Sequence, residues 1–330
     1  MIFQLVRFAI GFVLLAAGAE FLVRGASRIA ARFNVSPVVV GLTIVAFGTS
    51  LPELLVSLIA NLEGDGGSAI AIGNIVGSNI SNLGLTLGAA ALLAILPVER
   101  SILRREYPLL LAATAVFILL SWNGEISRLD SLVLLAGFAV FSYFTFKSLH
   151  STQHLHAQES LDVVASVDPG IAQPSIHLLR DALFVVSGLV GLVVGAEFLV
   201  KSSEAIARSV GVSDLVIGLT LVSVGTGLPE LATTLVAVLR NEKGIAFGNV
   251  VGSNLFNMLS IGGITALVRP LPVPLHMRTF DFPAMMGITV LVFLLALPKP
   301  HQLQRWNGAL LLALYGSYVV ALFAINGTPA

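Results

Sequence analysis

The sequence predicts an all-α integral membrane protein of ten transmembrane helices, arranged as two inverted five-helix repeats with broken core helices. Three observations support this fold class. The chain of 330 residues is 56% hydrophobic and only 11% charged, whereas soluble domains contain about 25% charged residues. Apolar stretches recur at the length of about 20 residues that a helix needs to cross a bilayer. The two halves of the chain also resemble each other.

The apolar stretches predict ten spans. They lie near residues 4–23, 36–61, 68–96, 107–122, 131–147, 181–200, 213–239, 245–268, 281–298 and 307–325. The first stretch has no small-residue cleavage site, so we interpret it as a retained span. A long polar stretch separates the fifth span from the sixth. We therefore expect a first five-helix repeat over 1–148, a cytoplasmic linker over 149–177 and a second, inverted repeat over 178–330.

The two halves are copies of one another. Residues 18–61 and 195–238 align at a constant offset and are identical at 23 of 44 positions. The match resumes between residues 73–82 and 248–257, which are identical at seven of ten positions. Because each copy holds five spans, an odd number, the second copy enters the membrane from the opposite face. Inverted repeats with interrupted helices are typical of secondary transporters, whose substrates bind where the repeats meet.

The basic residues predict the orientation in the membrane. Twelve of the eighteen Lys and Arg residues fall on one side of the predicted spans and six on the other. Since cytoplasmic loops carry the excess of basic residues, we expect the linker in the cytoplasm and both termini outside, in the cell (inner) membrane. The formal net charge of zero does not point to nucleic acid as a partner. The absence of cysteine excludes disulfides and thiolate metal sites.

Each copy carries a proline and a glutamate side by side in an apolar run, Pro52 with Glu53 and Pro229 with Glu230. Proline has no N–H and its ring crowds the carbonyl four residues earlier, so it predicts a break in each helix. An ionised carboxylate at bilayer depth is tolerated mainly where it faces a cavity, a cation or a proton. The two glutamates carry two negative charges, which one Ca²⁺ neutralises or which Na⁺ ions neutralise one at a time.

Other oxygen-bearing side chains fall on the same helix faces. Residues three or four positions apart share a face, and the sets at that spacing are Thr49 and Ser50 with Glu53, Thr226 with Glu230, Ser78 with Asn82, and Ser253 with Asn257. The predicted spans contain neither cysteine nor histidine. Oxygen ligands alone favour hard cations such as Ca²⁺ or Na⁺ over zinc or copper. Glu20 and Glu197 also recur, and because both lie near helix ends we expect them to be solvated or paired with Arg24 and Lys201 rather than to bind ions.

The duplicated motifs G-T-[SG]-L-P-E and G-N-[IV]-V-G-S-N-x-x-N resemble the two α-repeats of the cation/Ca²⁺ antiporter superfamily, and the ten-span chain resembles its prokaryotic Na⁺/Ca²⁺ exchangers. The resemblance implies Ca²⁺/Na⁺ antiport by alternating access, with the first and sixth spans sliding as a unit against a fixed core. It implies a Ca²⁺ site at Glu53, Glu230, Thr49 and Thr226, flanking Na⁺ sites that use Ser50, Ser78, Ser253 and the backbone carbonyls of Ala46 and Ser223, and a centre lined by Asn82 and Asn257.

Two positions depart from the family pattern. Gly227 stands where the first copy has Ser50, and Asn257 stands where some relatives have an aspartate. The first departure removes a hydroxyl from a Na⁺ site and the second removes a charge, so both leave the ion stoichiometry open.

Several functions stay open beside Na⁺/Ca²⁺ antiport. The same glutamates would serve H⁺/Ca²⁺ exchange or a K⁺-dependent Na⁺/Ca²⁺ exchange, although protons need no hydroxyl-rich shell. A cation channel would more naturally repeat its filter around a rotational axis. The predicted spans lack a nucleophile–base set, so we do not expect an enzyme. The expected substrates are Ca²⁺ and Na⁺ and the expected surroundings are the lipid bilayer, with no cofactor, no nucleic acid and no obligatory protein partner.

Overall fold

The computed structural model describes residues 2–33, 35–63, 67–152, 174–209 and 225–326. Helices dominate these residues, as expected in a bilayer, where every backbone N–H and C=O needs a partner within the chain. The elements of the first half are α1 (Ile2–Arg32), α2 (Pro37–Val40), α3 (Ala46–Thr49), α4 (Leu51–Glu63), α5 (Gly67–Ser81), α6 (Leu87–Leu93), β1 (Leu96–Pro97), α7 (Tyr107–Leu120), β2 (Glu125–Ile126) and α8 (Arg128–Thr152). Those of the second half are α9 (Pro174–Ser209), α10 (Leu228–Leu239), α11 (Lys243–Leu255), α12 (Gly262–Val268), β3 (Leu271–Pro272), α13 (Phe282–Ala296), β4 (Gln302–Leu303) and α14 (Arg305–Asn326).

Short π-helical segments continue several of these helices. In the described residues they are Gly41–Val45, Asn82–Thr86, Ile102–Glu106, Phe256–Ile261 and Met277–Asp281. Asn82–Thr86 joins α5 to α6, and Phe256–Ile261 joins α11 to α12 at the equivalent place of the second half. π-turns are frequent at functional sites. The candidate ligands Asn82 and Asn257 both lie in these segments.

Four two-residue strands connect the two halves. Strand β1 pairs antiparallel with β4, with Leu96 opposite Leu303, and β2 pairs antiparallel with β3, with Ile126 opposite Leu271. In the order of elements, β1 corresponds to β3 and β2 corresponds to β4. Exchanging the halves therefore converts one strand pair into the other, as expected for a twofold relationship between them.

In the described part of the chain, seven single helices are long and apolar enough to cross a membrane, namely Ile2–Arg32, Gly67–Leu93, Arg128–Thr145, Leu178–Ile206, Lys243–Val268, Met277–Ala296 and Arg305–Ala324. The pair Pro37–Thr49 and Leu51–Glu63 is long and apolar enough as a unit and is bent by 41°. The spans Gly67–Leu93 and Lys243–Val268 are 78% and 89% buried, whereas the other five are 17–39% buried. These two helices therefore form the core of the bundle.

Helices α1 and α9 approach each other closely along a stripe of glycines. A Cβ at Gly18 would lie 2.6 Å from the backbone N of Leu192, and a Cβ at Gly11 would lie 2.9 Å from the carbonyl O of Gly195. Both distances are too short for packed atoms, so only glycine allows the two backbones to come this near, as small residues do in many membrane helix pairs. Helices α1 and α9 thus form a tightly packed pair.

The second core helix, α11, packs equally closely on the segment that leads to α3. A Cβ at Gly252 would lie 2.7 Å from the carbonyl O of Leu42. A Cβ at Gly248 would meet the carbonyl O of Val38. This packing brings Asn249 of the second half within 3.2 Å of the Thr49 hydroxyl of the first. The core is therefore shared by both halves.

Candidate functional site

The two candidate glutamates follow breaks in their helices. Ser50 separates α3 from α4 at φ −87° and ψ 4°, and Gly227, its equivalent, precedes α10 at φ −83° and ψ 0°. The proline of each motif then lies at the start of the new helix, where its missing N–H costs no hydrogen bond. The breaks place Glu53 and Glu230 in the first turns of α4 and α10. Helix N-termini favour negative charge at such positions.

The carboxylates of Glu53 and Glu230 are buried and poorly hydrogen-bonded. Their residues are 1% and 0% exposed. The Ser50 hydroxyl donates a 3.0 Å hydrogen bond to Oε1 of Glu230, but Oε2 of Glu230 and both oxygens of Glu53 have no hydrogen-bond partner among the described residues. The Ser50 side chain that contacts Glu230 lies three residues before Glu53, so both carboxylates lie beside the first break. Buried charges without partners are strongly unfavourable, and a cation held by both carboxylates would satisfy these oxygens.

The core helices supply further polar side chains without partners. Asn257 is fully buried, and within the described ranges neither its Oδ1 nor its Nδ2 makes a hydrogen bond. The Ser253 hydroxyl, one turn earlier, is also buried and has no hydrogen-bond partner among the described residues. Their equivalents Asn82 and Ser78 are also buried. Because an unsatisfied buried polar atom costs about 1–3 kcal/mol, this arrangement is suited to receive a ligand.

The threonines before each break are hydrogen-bonded across the two halves. The Thr49 hydroxyl donates to Oδ1 of Asn249 at 3.2 Å. The Thr226 hydroxyl donates to Oδ1 of Asn74, also at 3.2 Å. The sequence prediction missed both asparagines. The signal was present in the glycine–asparagine pairs at 73–74 and 248–249, which recur in the two copies.

The backbone ligands implied by the resemblance are described in part. The Ala46 carbonyl accepts a 3.0 Å hydrogen bond from the Ser50 N–H. A carbonyl oxygen has two lone pairs, so this bond leaves one for a cation. Ser223, the equivalent of Ala46, lies outside the described residues.

The donor set limits what the site binds. No group of three or more His, Cys, Asp or Glu side chains that would hold a metal ion occurs in the ranges that the structure describes. The candidate site instead combines two carboxylates with neutral hydroxyl, amide and carbonyl oxygens. Such oxygens suit hard cations, and a low count of charged ligands weakens Ca²⁺ binding. The arrangement therefore fits an ion that binds and leaves.

The other recurring glutamates are paired, which is one of the two alternatives that the sequence leaves open. Glu20 accepts from Arg24 at 2.6 Å and also pairs with Arg240. Glu197 pairs with Lys201 at 2.5 Å. The side chains of Glu20 and Glu197 are 26% and 50% exposed. These contacts satisfy both carboxylates with basic side chains.

Comparison with protein families gives one match that covers both halves. The family described as sodium/calcium exchanger protein matches residues 3–147 and 181–324. The unmatched residues between these ranges include the polar stretch that the sequence predicts to be a linker.

Relatives are similar over nearly the whole chain. The sodium/calcium exchanger MaX1 of Methanosarcina acetivorans is 34% identical, with 96% of this chain and 97% of the relative covered. The inner membrane protein YrbG of Escherichia coli is 32% identical, with 95% and 94% covered. The solved structure of the sodium-calcium exchanger NCX_Mj, soaked with Na⁺ and Ca²⁺, superimposes with a TM-score of 0.81 at 33% identity, and the match covers 98% of this chain and 99% of that one.

Proposed function

The chain belongs to the sodium/calcium exchanger protein family, and we infer that it is an integral membrane antiporter that exchanges Ca²⁺ for Na⁺. The observation that carries this inference is the buried pair of Glu53 and Glu230, one from each half that the family matches, with three of four carboxylate oxygens unpartnered in the described structure. Two carboxylates balance one Ca²⁺ or two Na⁺, so one site accommodates either ion in turn. The relatives described as exchangers are transporters, which agrees with a chain that is not an enzyme.

The ions bind around the two helix breaks. Ca²⁺ lies between the carboxylates of Glu53 and Glu230, with the hydroxyls of Thr49 and Thr226 completing its inner ligands. Na⁺ binds at flanking positions and at the centre, where the ligands are Ser50, Ser78, Ser253, the carbonyls of Ala46 and Ser223, and the amides of Asn82 and Asn257. Among the described residues, both oxygens of Glu53, Oε2 of Glu230, the amide of Asn257 and the hydroxyl of Ser253 have no hydrogen-bond partner, which supports this assignment.

Ten spans form two inverted repeats, 1–148 and 178–330, joined by a linker over 149–177. Two observations support a twofold relationship between them: the strand pairs exchange when the halves exchange, and so do the threonine–asparagine bonds. With five spans in each half, the axis lies in the membrane plane. Inverted repeats of this kind transport by alternating access around a fixed site.

The moving unit in this mechanism is the tightly packed pair of α1 and α9. Their glycine contacts join the backbones at van der Waals distance, so the pair moves as one body. The core helices α5 and α11 hold the ions while the pair slides from one side to the other. Access thereby alternates without exposing the site to both sides at once.

The protein lies in the cell (inner) membrane with both termini outside and the linker in the cytoplasm. The basic residues support this orientation, since twelve of eighteen fall on the linker side of the predicted spans. The similarity to an Escherichia coli protein described as an inner membrane protein supports the location. The transport cycle needs Ca²⁺, Na⁺ and a bilayer, and no cofactor or further protein.

Exchange of H⁺ for Ca²⁺ is the second candidate, because a pair of buried glutamates also binds protons. The hydroxyl and amide oxygens beside the glutamates favour Na⁺, since a proton needs no shell of neutral ligands. Potassium dependence would require an additional ion position, for which the described residues supply no third carboxylate near the site.

Uptake of ⁴⁵Ca²⁺ into proteoliposomes tests the proposal. The vesicles are loaded with Na⁺, K⁺ or choline at one pH, and each set is measured with and without a proton ionophore. We expect rapid ⁴⁵Ca²⁺ uptake only into Na⁺-loaded vesicles, and we expect the ionophore not to change it. Uptake that follows a pH gradient in choline, or that proceeds without any counter-ion gradient, would instead identify a H⁺/Ca²⁺ exchanger or a channel.

A further inference from the structure

The side chains of Asn74 and Asn249 connect the two halves beside the ion site. Nδ2 of Asn74 donates to the Ser57 hydroxyl at 2.9 Å and to the backbone carbonyl of Glu53 at 3.2 Å. Its Oδ1 accepts from the Thr226 hydroxyl of the other half at 3.2 Å. One amide thus joins the helix that carries a site carboxylate to the threonine that precedes the opposite break.

Asn249 makes the same three contacts in the second half. Its Nδ2 donates to the Thr234 hydroxyl at 3.0 Å and reaches the backbone carbonyl of Glu230 at 3.5 Å. Its Oδ1 accepts from Thr49 at 3.2 Å. Thr234 occupies the position that corresponds to Ser57. Asn249 therefore reproduces each contact of Asn74. This repetition indicates that the contacts are not accidental.

We propose that Asn74 and Asn249 are positioning residues, which hold Thr226 and Thr49 with their hydroxyl oxygens presented to the transported cation. The proposal rests on the ion site inferred above and assigns a task to two residues outside its ligand set. An asparagine amide has donors on nitrogen and an acceptor on oxygen. Because the Nδ2 group of each amide is directed at oxygens of its own half, its Oδ1 is left to face the threonine of the other half.

The consequence for the threonines follows from their single proton. A hydroxyl that donates its proton to the protein keeps its lone pairs for other partners. Each partner of the Thr49 hydroxyl is an acceptor: Oδ1 of Asn249 and the carbonyls of Val45 and Ala46. A cation ligand must offer lone pairs, so this hydrogen bonding prepares the oxygen for Ca²⁺ or Na⁺. Without the asparagine, the Thr49 hydroxyl keeps acceptors on its own helix, the carbonyls of Val45 and Ala46, but loses the contact that fixes its place relative to the other half.

A double-mutant cycle on Asn74 and Thr226 tests this role. Wild type, Asn74→Ala, Thr226→Val and the double variant are compared by equilibrium ⁴⁵Ca²⁺ binding in detergent and by Na⁺ competition. We expect each single variant to weaken Ca²⁺ binding about two- to tenfold, the range of one hydrogen-bonded ligand. The Ca²⁺ dissociation constant of the double variant should exceed that of the more weakly binding single variant by no more than about twofold. The reason is that the effects of two residues that act together are not additive.

The matched control is the cycle of Asn74→Ala with Thr49→Val, which are not hydrogen-bonded to each other. Here we expect the two effects on the Ca²⁺ dissociation constant to multiply. The inverted pair, Asn249→Ala with Thr49→Val, repeats the test independently. If an alanine variant fails to fold, Ser57→Ala loosens the same amide without touching a ligand, and it should weaken Ca²⁺ binding only when the Thr226 hydroxyl is present.

The outcomes separate this inference from the proposed function. Multiplying effects for Asn74 and Thr226, or asparagine variants that lower thermal stability with an unchanged Ca²⁺ dissociation constant, would overturn the positioning role while leaving the exchanger intact. A wild-type protein that neither binds Ca²⁺ nor exchanges it for Na⁺ would overturn both. A non-additive contact pair beside an additive control pair supports the inference.

Discussion

The hydroxyl of Ser50 donates a 3.0 Å hydrogen bond to Oε1 of Glu230. The equivalent bond in the other half does not exist, because Gly227 replaces the serine and both carboxylate oxygens of Glu53 have no hydrogen-bond partner in the described residues. Two glutamates at equivalent positions therefore have different surroundings. One neutral oxygen is missing from the side of the site that Glu53 occupies.

Gly227→Ser is predicted to strengthen Na⁺ binding. The backbone at Gly227, with φ −83° and ψ 0°, nearly matches that at Ser50, with φ −87° and ψ 4°, so serine adopts it without strain. The new hydroxyl would add one neutral ligand, worth about 0.5–1.5 kcal/mol by analogy with a hydrogen bond, or about two- to tenfold in affinity. The Na⁺ concentration for half-maximal exchange should fall, and Ca²⁺ affinity, which the two carboxylates dominate, should change less.

Gly227→Ala is the matched control, since it adds the Cβ without the hydroxyl. Na⁺-dependent Ca²⁺ flux and Ca²⁺ binding are titrated in all three proteins. An equal shift in the alanine variant, an unchanged Na⁺ dependence in a folded serine variant, or a larger shift for Ca²⁺ would show that position 227 does not face a Na⁺ site.

Glu53→Gln and Glu230→Gln are each expected to abolish Ca²⁺ transport without unfolding the protein. Either change leaves a single negative charge against a divalent ion in a buried site, where charge interactions are worth several kcal/mol. Transport is measured as ⁴⁵Ca²⁺ uptake and folding by gel filtration and thermal unfolding. Glu197→Gln, at an exposed ion pair, is the control and should transport normally. Exchange at the wild-type rate in either site variant would refute the assignment of the site.

The sequence predicted a helix break at each proline and a site role for each glutamate. A proline interrupts a helix, and a carboxylate in an apolar run is tolerated mainly where it faces a cavity, a cation or a proton. The sequence prediction missed Asn74 and Asn249, because helical spacing relates residues within one helix, whereas these bonds join residues 152 and 200 positions apart. The details of the first break also differ from the expectation. Helix α3 ends at Thr49, before the proline, which then lies at the start of α4.

The predicted span limits mark where the apolar residues end, which is not always where the helices end. The first span was predicted to end near residue 23, but α1 continues to Arg32, because a helix extends past the hydrocarbon with polar residues that a hydropathy pattern does not count. The third was predicted to end near residue 96, but α6 ends at Leu93. The apolar residues Leu96 and Pro97 belong instead to β1, whose partner β4 lies in the other half. Such long-range pairing leaves no local signal.

Gly18→Ala is predicted to destabilise the pair of α1 and α9. The added Cβ would lie 2.6 Å from the backbone N of Leu192, which cannot turn away as a side chain would. Overpacking of this kind costs about 1–3 kcal/mol, so thermal unfolding in detergent should occur at a lower temperature, and exchange should slow if the pair moves as one body. Ala16→Leu, on an exposed face of α1, is the control and should change neither the unfolding temperature nor the exchange rate. An unaltered unfolding temperature for Gly18→Ala would contradict the close approach.

The orientation proposal is tested with single cysteines, since the chain contains none. Glu63 and Lys147 are exposed and lie on opposite sides of the membrane in the ten-span arrangement. An impermeant thiol reagent added to intact cells should label Glu63→Cys, whereas Lys147→Cys should react only after the membrane is opened. Labelling of both from outside, or the reverse pattern, would reject the proposed topology.

Arg240 and the residues after it connect the end of α10 to α1. Arg240, which follows α10, pairs with Glu20 of α1, and the Ser27 hydroxyl of α1 donates to Glu242. At the equivalent positions of the other half, Glu63 replaces Arg240 and Glu204 replaces Ser27, and Glu197, the equivalent of Glu20, pairs with Lys201 within its own helix. The ion pair therefore stabilises the arrangement in which α1 lies against α10, and the described residues contain no equivalent pair between α9 and α4.

Arg240→Gln should consequently favour release of α1 from α10. A partly exposed ion pair is worth about 0.2–1 kcal/mol, so we expect about a 1.4- to fivefold increase in the population with α1 displaced. A cysteine at Val238, which is 6% exposed near the end of α10, reports this population through its rate of modification by a thiol reagent. Glu197→Gln in the same Val238→Cys background is the matched control, because it breaks a pair within one helix, and its modification rate should equal that of the parent. The Glu20–Arg240 pair would not hold α1 against α10 if Arg240→Gln and the parent Val238→Cys protein were modified at the same rate. The same conclusion would follow if Glu197→Gln raised the modification rate as much as Arg240→Gln does.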